Sequence, residues 1–320
     1  MHASLQMHKQ MIKERKHTPT QILKLITRIG IGALFIVSAI FKLLSLDQFE
    51  LYIYSFNLMS LTLCGVVARV VIACELLVGA LLIIKVKYRP VWWLTLLMLI
   101  GFSLLLLYVI FFRHDDNCHC MGEIVKLHPV ASLIKNIVII ALMMFVRKED
   151  DYQFRGKTLA LAGVCIAAIA LPFALFPIDD VYTLFSKNEL DYNETSYNAL
   201  MADSTMQEVN LDNGNYLVGI VSTGCPYCKT SCLKVSEIVA HNQLDTSRIV
   251  YFVWGDTTAL PGYQKETKTE SFNYVFISGM QAIRVANGHF PTYLYIQNGD
   301  VVKTADLRHL TEKSIMEHLD

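Results

Sequence analysis

Residues 216–228 read YLVGIVSTGCPYC, and this stretch decides the fold of the second half of the chain. The apolar run 216–221 is typical of a buried strand, and the small residues 222–224 indicate a turn after it. A Cys-Pro-Tyr-Cys motif at 225–228 follows, with apolar residues beyond it at helical spacing. The sequence therefore predicts a strand, a tight turn and a helix that begins at a Cys-x-x-Cys motif.

The position of Cys225 predicts its chemistry. The unpaired amides and the dipole at a helix N-terminus stabilise a thiolate, and the thiolate is the form of cysteine that attacks disulfides. Cys228, one helical turn further on, would then resolve the mixed disulfide. We therefore expect Cys225 and Cys228 to carry out thiol–disulfide exchange.

A zinc site is the main alternative for this motif. A structural zinc site needs a second pair of ligands, and the sequence holds no second Cys-x-x-Cys motif. We therefore expect no metal. Cys232 lies four residues after Cys228 on the same helical face, where a buried, small apolar role is more common than a redox role.

The rest of this half resembles the thioredoxin superfamily. Residues 248–254 predict a second central strand, and Pro291 lies just before a third predicted strand at 293–296. Residues 206–320 are thus similar to the membrane-anchored envelope branch of that superfamily, although the Cys-Pro-Tyr-Cys tetrapeptide itself looks glutaredoxin-like. The resemblance implies an α/β fold in which Pro291 forms a cis peptide bond beside the active disulfide and its neighbouring backbone pairs with the substrate peptide.

The composition indicates that the first half lies in a membrane. Apolar residues make up 53% of the chain and charged residues 18%, and the long apolar runs fall between residues 20 and 178. A net charge of zero gives no reason to expect a nucleic-acid partner. Five stretches are long and apolar enough to span a lipid bilayer: 22–44, 61–84, 91–112, 130–146 and 158–176.

The distribution of basic residues predicts the orientation. The first apolar run follows a tail of about twenty residues without a small-residue cleavage site, so we expect a retained anchor. Lys and Arg are unevenly divided between the two sides of the predicted spans. The loops after the first and third spans, 45–60 and 113–129, hold only Arg113 and Lys126. Because basic loops stay in the cytoplasm, we expect a cytoplasmic N-terminus in the inner membrane and a periplasmic C-terminal domain. The other side holds eleven Lys or Arg residues, at positions 9, 13, 15, 16, 85, 87, 89, 147, 148, 155 and 157.

Two charged residues lie deep in the second predicted span. Arg69 and Glu75 are six residues apart, a rotation of roughly 240°, so they cannot pair within one helix. Charges at this depth usually face a bundle interior or a wet cavity. They could make structural contacts between helices or line a pocket for a quinone head group, and the sequence leaves both open. Arg28 and Lys42 are close enough to span ends to extend towards water.

A second cysteine pair lies in the outer loop, where residues 117–122 read NCHCMG. Cys118 and Cys120 are one residue apart at the surface of an oxidising compartment, and a disulfide in so small a ring is constrained and readily reduced. We expect this pair to relay electrons. The alternative is a Cu(I) site that also uses His119 and Met121, because soft ligands suit that ion.

The first half resembles the DoxX-type membrane proteins and, within them, the branch of the methylamine-utilization protein MauE. The resemblance covers about residues 20–150 and rests on the segments 28–30, 41–43 and 74–79, on the Cys-x-Cys-Met-Gly loop, and on Asn136 in the next helix. That branch usually has Phe in place of Met121. Its members work with a separate thioredoxin-like partner to form disulfides in an exported enzyme, and this chain looks like both partners fused. In function it also resembles quinone-linked proteins of the vitamin K epoxide reductase type.

Together these patterns predict a multi-domain chain with an all-α membrane bundle, four helices plus a fifth span, and an α/β thioredoxin-like domain. The expected enzyme is a membrane-bound thiol–disulfide oxidoreductase that passes electrons from exported protein thiols through both cysteine pairs to a quinone. An envelope reductase or isomerase is the first alternative. The reducing direction needs thiols reachable from the cytoplasm, and Cys64, Cys74 and Cys165 form no such pair, so oxidation or isomerisation is favoured. A Cu(I)-handling membrane protein is the second alternative. The predicted boundaries are a tail at 1–21, the membrane domain at 22–150, a fifth span and linker at 151–205, and the outer domain at 206–320.

Overall fold

The computed structural model consists of two compact units. The first holds the described residues up to Ser45 together with those of Val70–Pro172, and the second holds Leu46–Arg69 and the described residues from Phe173 onwards. The structure describes residues 19–115, 117, 118, 120, 122, 127–147, 156–186, 188, 190–203, 206 and 209–319.

The helices of the first half are built from the predicted apolar stretches. Among the described residues, four helical segments are long and apolar enough to cross a membrane, and α5, with 17 residues, is at the lower limit. The prediction of an all-α membrane domain is therefore confirmed. The helices before the sheet are α1 (Pro19–Leu44), α2 (Leu46–Tyr54), α3 (Leu61–Ile84), α4 (Tyr88–Tyr108, extended by a π-helical turn at Val109–Arg113), α5 (Pro129–Phe145), α6 (Lys157–Leu175), α7 (Asp179–Phe185) and α8 (Glu194–Met201).

Small residues and apolar side chains hold the first unit together. A Cβ added to Gly32 on α1 would lie 2.8 Å from the carbonyl oxygen of Gly79 on α3, so only glycine allows these helices to approach so closely. Trp92 on α4 donates a hydrogen bond of 2.8 Å to the carbonyl of Met143 on α5. Many other apolar side chains point outwards, such as Leu97, which is 68% exposed. An outward apolar surface is what a lipid environment requires.

The second unit is built around a five-stranded mixed sheet in the order β3-β2-β1-β4-β5. Strands β1, β2 and β3 are parallel, and β4 runs antiparallel to both β1 and β5. This arrangement, with the Cys-x-x-Cys motif directly after β1 and a cis Phe290–Pro291 bond before β4, confirms the thioredoxin-like prediction. The elements are β1 (Asn215–Ser222), α9 (Pro226–Asn242), β2 (Ile249–Trp254), α10 (Leu260–Thr267), β3 (Asn273–Phe276), α11 (Gly279–Val285), β4 (Thr292–Gln297), β5 (Asp300–Ala305) and α12 (Glu312–Leu319).

The centre of the sheet makes room for aromatic rings. Gly219 on β1 lies opposite Tyr251 on β2 and Tyr293 on β4. A Cβ at this position would come within 2.8 Å of the Tyr251 ring and 2.9 Å of the Tyr293 ring. The glycine therefore allows two tyrosines to reach the space between the sheet and α9.

Residues 46–69, which lie in the predicted membrane domain, pack in the second unit. Tyr54 and Cys64 are fully buried in the same core as α9. The Tyr54 hydroxyl donates to Glu312 Oε1 at 2.7 Å, and the backbone amide of Leu61 donates to Glu312 Oε2 at 2.8 Å. The predicted linker likewise contains regular structure, since α7 and α8 lie within it.

Candidate functional site

The Cys225–Cys228 pair begins helix α9. Cys225 is the N-cap residue, and its sulfur accepts a hydrogen bond of 3.3 Å from the backbone amide of Cys228. Pro226 occupies the first helical position, where its missing N–H leaves no lost hydrogen bond. Cys225 is half-buried and therefore reachable, whereas Cys228 is fully buried.

The buried cysteine of this pair retains its proton. Burial raises the pKa of the Cys228 thiol, and the hydrogen bond with Cys225 raises the pKa further. The sulfur at the helix N-terminus is thus the more accessible of the two, and the sulfur of Cys228 is the one held as a thiol.

Neutral hydroxyl groups surround the inner side of this pair. The Tyr293 hydroxyl donates to Ser231 Oγ at 2.9 Å, and Ser231 Oγ donates to the carbonyl oxygen of Cys228 at 2.8 Å. The Tyr263 hydroxyl donates to Cys232 Sγ at 3.2 Å. Cys232 is fully buried, as expected, and burial raises its pKa to about 11. It acts as a small core residue within a tyrosine cage.

An open groove runs beside Cys225. Trp254 and Phe290 line the groove with ring centroids 5.7 Å apart, and Asp256 lies at its edge. The peptide bond between Phe290 and Pro291 is cis, as the resemblance implied. The groove leaves the sulfur of Cys225 open to a molecule that binds beside it.

The membrane cysteines form a second, differently built pair. The backbone amide of Cys120 donates to Cys118 Sγ at 3.3 Å, and Ser132 Oγ on α5 lies 2.9 Å from the same sulfur. The hydrogen bond from the Cys120 side chain, supported by that of Ser132, holds the pKa of Cys118 below its usual range. The same contact with Cys118 and burial raise the pKa of Cys120. His119 and Met121, the other ligands of the Cu(I) alternative, lie outside the described residues.

Cys120 lines a narrow, partly open cavity inside the membrane unit, with a volume of about 30 Å³. Lys42 also lines this cavity and is 1% exposed, so it does not extend towards water as the sequence suggested. Its ammonium group donates to Glu75 Oε1 at 2.6 Å and to Ser38 Oγ at 2.9 Å. Ser38 Oγ in turn donates to the carbonyl oxygen of Cys120 at 3.0 Å. A continuous set of hydrogen bonds thus joins Glu75 to the Cys120 backbone.

Arg69 and Glu75 are not brought together. Arg69 donates to Glu50 Oε1, and through Nε it donates to the carbonyl oxygen of Phe176 at 2.7 Å. Burial raises the pKa of Glu50 to about 7, against the lowering effect of Arg69. The pocket hypothesis is therefore retained for Glu75, while Arg69 makes a structural ion pair.

Sequence reasoning missed Lys42 and Ser38 as members of the cavity. The available signal was their spacing, because residues four apart share one face of a helix. Two polar residues on one face of an apolar span indicate a polar contact inside the bundle. The partner of that contact, Glu75, is 33 residues away, and only packing reveals it.

Comparison with known proteins finds a family match for the first half of the chain and a relative for most of it. Residues 20–147 match the family described as methylamine utilisation protein MauE. The chain is also 23% identical, over 339 aligned residues, to Protein TlpB of Flavobacterium psychrophilum, an alignment that covers 86% of this chain and 89% of that protein.

Among solved structures, a secreted Mycobacterium tuberculosis disulfide oxidoreductase homologous to E. coli DsbE matches 34% of this chain and 82% of its own. The sequence identity is 12% and the TM-score is 0.28. The sheet order and the Cys-x-x-Cys position described above establish the fold of the second unit independently. The chain is thus a multi-pass membrane protein that joins a MauE-like segment to a thioredoxin-like domain.

Proposed function

We propose that this protein is a membrane-bound thiol–disulfide oxidoreductase that forms disulfides in exported proteins. The observation that carries the proposal is that in each cysteine pair one sulfur accepts a hydrogen bond from the backbone amide of its partner, and the partner thiol has a raised pKa. At a helix N-terminus, Cys225 Sγ accepts a hydrogen bond from the backbone amide of Cys228. Cys118, which is buried, has a lowered pKa, and the half-buried Cys120 beside it has a raised pKa. Both pairs meet the requirements of exchange through a mixed disulfide.

The proposed route conserves electrons and protons. Two substrate thiols become a disulfide as the Cys225–Cys228 disulfide is reduced, and that dithiol then reduces the Cys118–Cys120 disulfide. We assign Cys118 to the exchange with Cys225 because Cys120 lines the inner cavity, where the final acceptor would bind. A quinone in that cavity would accept two electrons and two protons and leave as a hydroquinone.

The cavity residues suit a quinone head group. Asn136 and Lys135 offer N–H donors to carbonyl oxygens, and the Phe102 ring offers an apolar face. The Lys42 ammonium lies 5.6 Å from the centre of that ring. The site therefore combines an aromatic wall with the few polar groups that orient a ligand.

The proposed location is the inner membrane, surrounded by lipid, with the N-terminus in the cytoplasm and both cysteine pairs on the periplasmic side. The support is the uneven distribution of Lys and Arg between the loops. Reporter fusions test it. A reporter after the C-terminal residue should be exported, and one at Asp151, which lies outside the described residues, should stay in the cytoplasm. An unexported C-terminus would contradict the proposal, because exported substrates could not reach Cys225.

Trapping the mixed disulfide tests the relay itself. In the full-length protein, Cys228→Ser combined with Cys120→Ser leaves Cys225 and Cys118 free to form a stable bond, which peptide mass spectrometry would identify. The variant with Cys228→Ser and Cys118→Ser should give a lower yield of the disulfide between Cys225 and Cys120. Cys165→Ser added to each variant controls for capture by other thiols.

Two results would overturn the relay. If neither folded, inserted double variant yields a peptide linked to Cys225, the two cysteine pairs do not exchange. Stoichiometric Cu(I) binding that persists after Cys225→Ser would favour the metal-handling alternative, in which the outer domain only keeps ligands reduced.

A further inference from the structure

Glu75 has one carboxylate oxygen with a partner and one without. The residue is 3% exposed, and its Oε1 accepts a hydrogen bond from Lys42. Among the residues that the structure describes, none donates a hydrogen bond to the equally buried Oε2. A buried charged oxygen without a donor is unfavourable, so this atom indicates a ligand group that can donate.

The surroundings of Glu75 indicate what kind of ligand this is. The cavity that Glu75 lines also contains the redox sulfur of Cys120 and the N–H donors of Lys135 and Asn136. The ligand site therefore presents donors and a free acceptor beside a sulfur that loses electrons in the proposed route.

We propose that Glu75 makes this cavity selective for the reduced form of the quinone, an inference that rests on the proposed function. A quinone has carbonyl oxygens that only accept hydrogen bonds, whereas a hydroquinone has hydroxyl groups that donate them. The Glu75 carboxylate can accept from such a hydroxyl in a charge-assisted hydrogen bond. It repels the carbonyl oxygen of the oxidised form.

Selectivity for the reduced form assigns a direction to electron flow. As the Cys118 and Cys120 thiols form their disulfide, two S–H bonds break, and the quinone takes up the two electrons and the two protons. A site that binds the product of this step more tightly than the reactant favours the step by the ratio of the two affinities. The cavity is thus built to oxidise thiols, and the reverse direction is disfavoured by the same ratio.

Lys42 is the positioning residue for this selectivity. Its ammonium group holds Glu75 Oε1 at 2.6 Å, which leaves Oε2 as the oxygen available to the ligand. Lys42 also donates to Ser38, and Ser38 donates to the Cys120 backbone. These hydrogen bonds fix the position of the Glu75 carboxylate relative to Cys120.

Binding of both redox forms to full-length protein tests the proposal. The Cys118→Ser and Cys120→Ser changes remove electron transfer without removing the cavity. Menadione and anaerobically reduced menadiol are titrated separately by calorimetry in detergent, and decylubiquinone with its hydroquinone forms a parallel series for the benzoquinone class. The reduced form should bind roughly ten- to a hundred-fold more tightly, the range expected for one hydrogen bond to a charged group. Glu75→Gln should reduce the ratio of affinities to about one or below.

Two further variants control for loss of folding and for unspecific effects of substitution. Lys42→Gln combined with Glu75→Gln removes both charges together, so no unpaired charge is left to disturb folding, and it should also abolish the preference. Cys74→Ala, a neighbouring change outside the cavity lining, should keep the preference. If both redox forms bind but the ratio is near one in the parent, or is unaffected by the Glu75 variants, the inference is wrong. If neither form binds, the quinone step of the proposed function fails.

Discussion

The two cysteine pairs have different chemical surroundings. Beneath Cys228 the structure has neutral hydroxyl groups, those of Ser231 and Tyr293, in a closed hydrogen-bonded set. Beside Cys120 it has an ion pair, Lys42 with Glu75, in a cavity. In both pairs one cysteine has a raised pKa and lies inwards.

This difference matches what each proposed step requires. Exchange between two sulfur pairs transfers protons and electrons from thiol to thiol, so neutral surroundings suffice. Transfer to an acceptor that is not a thiol must move protons onto a different chemical group, and charged side chains stabilise that movement in a site of low dielectric constant. The proposed division into an exchange site and a terminal redox site predicts this contrast.

The largest expected effect comes from removing one attacking sulfur from each pair. Cys225→Ser should lower both substrate oxidation and quinone reduction by roughly a thousand-fold or more, because the nucleophile is lost. Cys118→Ser should abolish quinone reduction but still permit one reduction of Cys225–Cys228 by a dithiol peptide. Stopped-flow and quinone absorbance measurements separate the two, with Cys165→Ser as the control. If Cys118→Ser reduced peptide oxidation and quinone reduction equally, the two cysteine pairs would not have the separate roles that we propose.

Breaking the ion pair should cost more stability than breaking the hydroxyl set. Glu75→Leu leaves the Lys42 charge buried and should lower the free energy of unfolding by about 3–5 kcal/mol. Tyr293→Phe removes one neutral hydrogen bond and should cost about 1 kcal/mol. Chemical unfolding in detergent micelles measures both. Combining Lys42→Met with Glu75→Leu should recover most of the loss, and a double variant as unstable as Glu75→Leu alone would contradict the charge argument.

Alkylation should distinguish the two members of the outer pair. Cys225 is accessible and accepts an amide hydrogen bond, whereas Cys228 is fully buried with a raised pKa. In the reduced protein at neutral pH, Cys225 should react with iodoacetamide roughly a hundred-fold faster than Cys228. Peptide mass spectrometry over time gives both rates, and unfolding in denaturant should make them equal. Slow, equal labelling of the folded protein would show that the helix N-terminus does not activate Cys225.

A smaller effect concerns a further buried ion pair, that of Glu50 with Arg69. Burial raises the pKa of Glu50 from 4.5 to about 7. The folded state therefore binds this proton more tightly than the unfolded state, so the contribution to stability is fully present below about pH 4.5 and is lost as pH rises through about 7. Unfolding curves between pH 5 and 8 should show this decline, and Glu50→Gln should flatten it. The exposed Glu270→Gln is the matched control, and the same flattening there would refute the assignment.

The sequence predicted most of what depends on local patterns. The apolar run, the small-residue turn and Cys225 at a helix start are features of neighbouring residues, and the structure contains the predicted strand, turn and helix. The apolar helices follow from the same kind of local signal. Such elements can be predicted because backbone preference and periodicity act over a few residues.

The parts that failed depend on contacts between distant residues. Lys42 was expected to reach water from the end of its span, but close packing of the two helices at Gly32 and Gly79 accompanies its pairing with Glu75. For Arg69 the sequence left a structural contact and a pocket position open, and its partner is Glu50 on a helix outside the predicted spans. Periodicity gives the face of a charged residue but not the identity of its partner.

The packing of residues 46–69 in the second unit has a practical consequence for biochemical work. A soluble fragment cut at residue 206 would deprive Glu312 of its hydrogen bonds from Tyr54 and Leu61 and would uncover the face of α9 that Gln48 contacts through Thr230. Such a fragment should express poorly and aggregate, because it exposes apolar surface that the full chain covers. A fragment that carries residues 46–69, joined by a flexible linker to the second unit, should be the smallest soluble form suitable for crystallisation or for inhibitor screening.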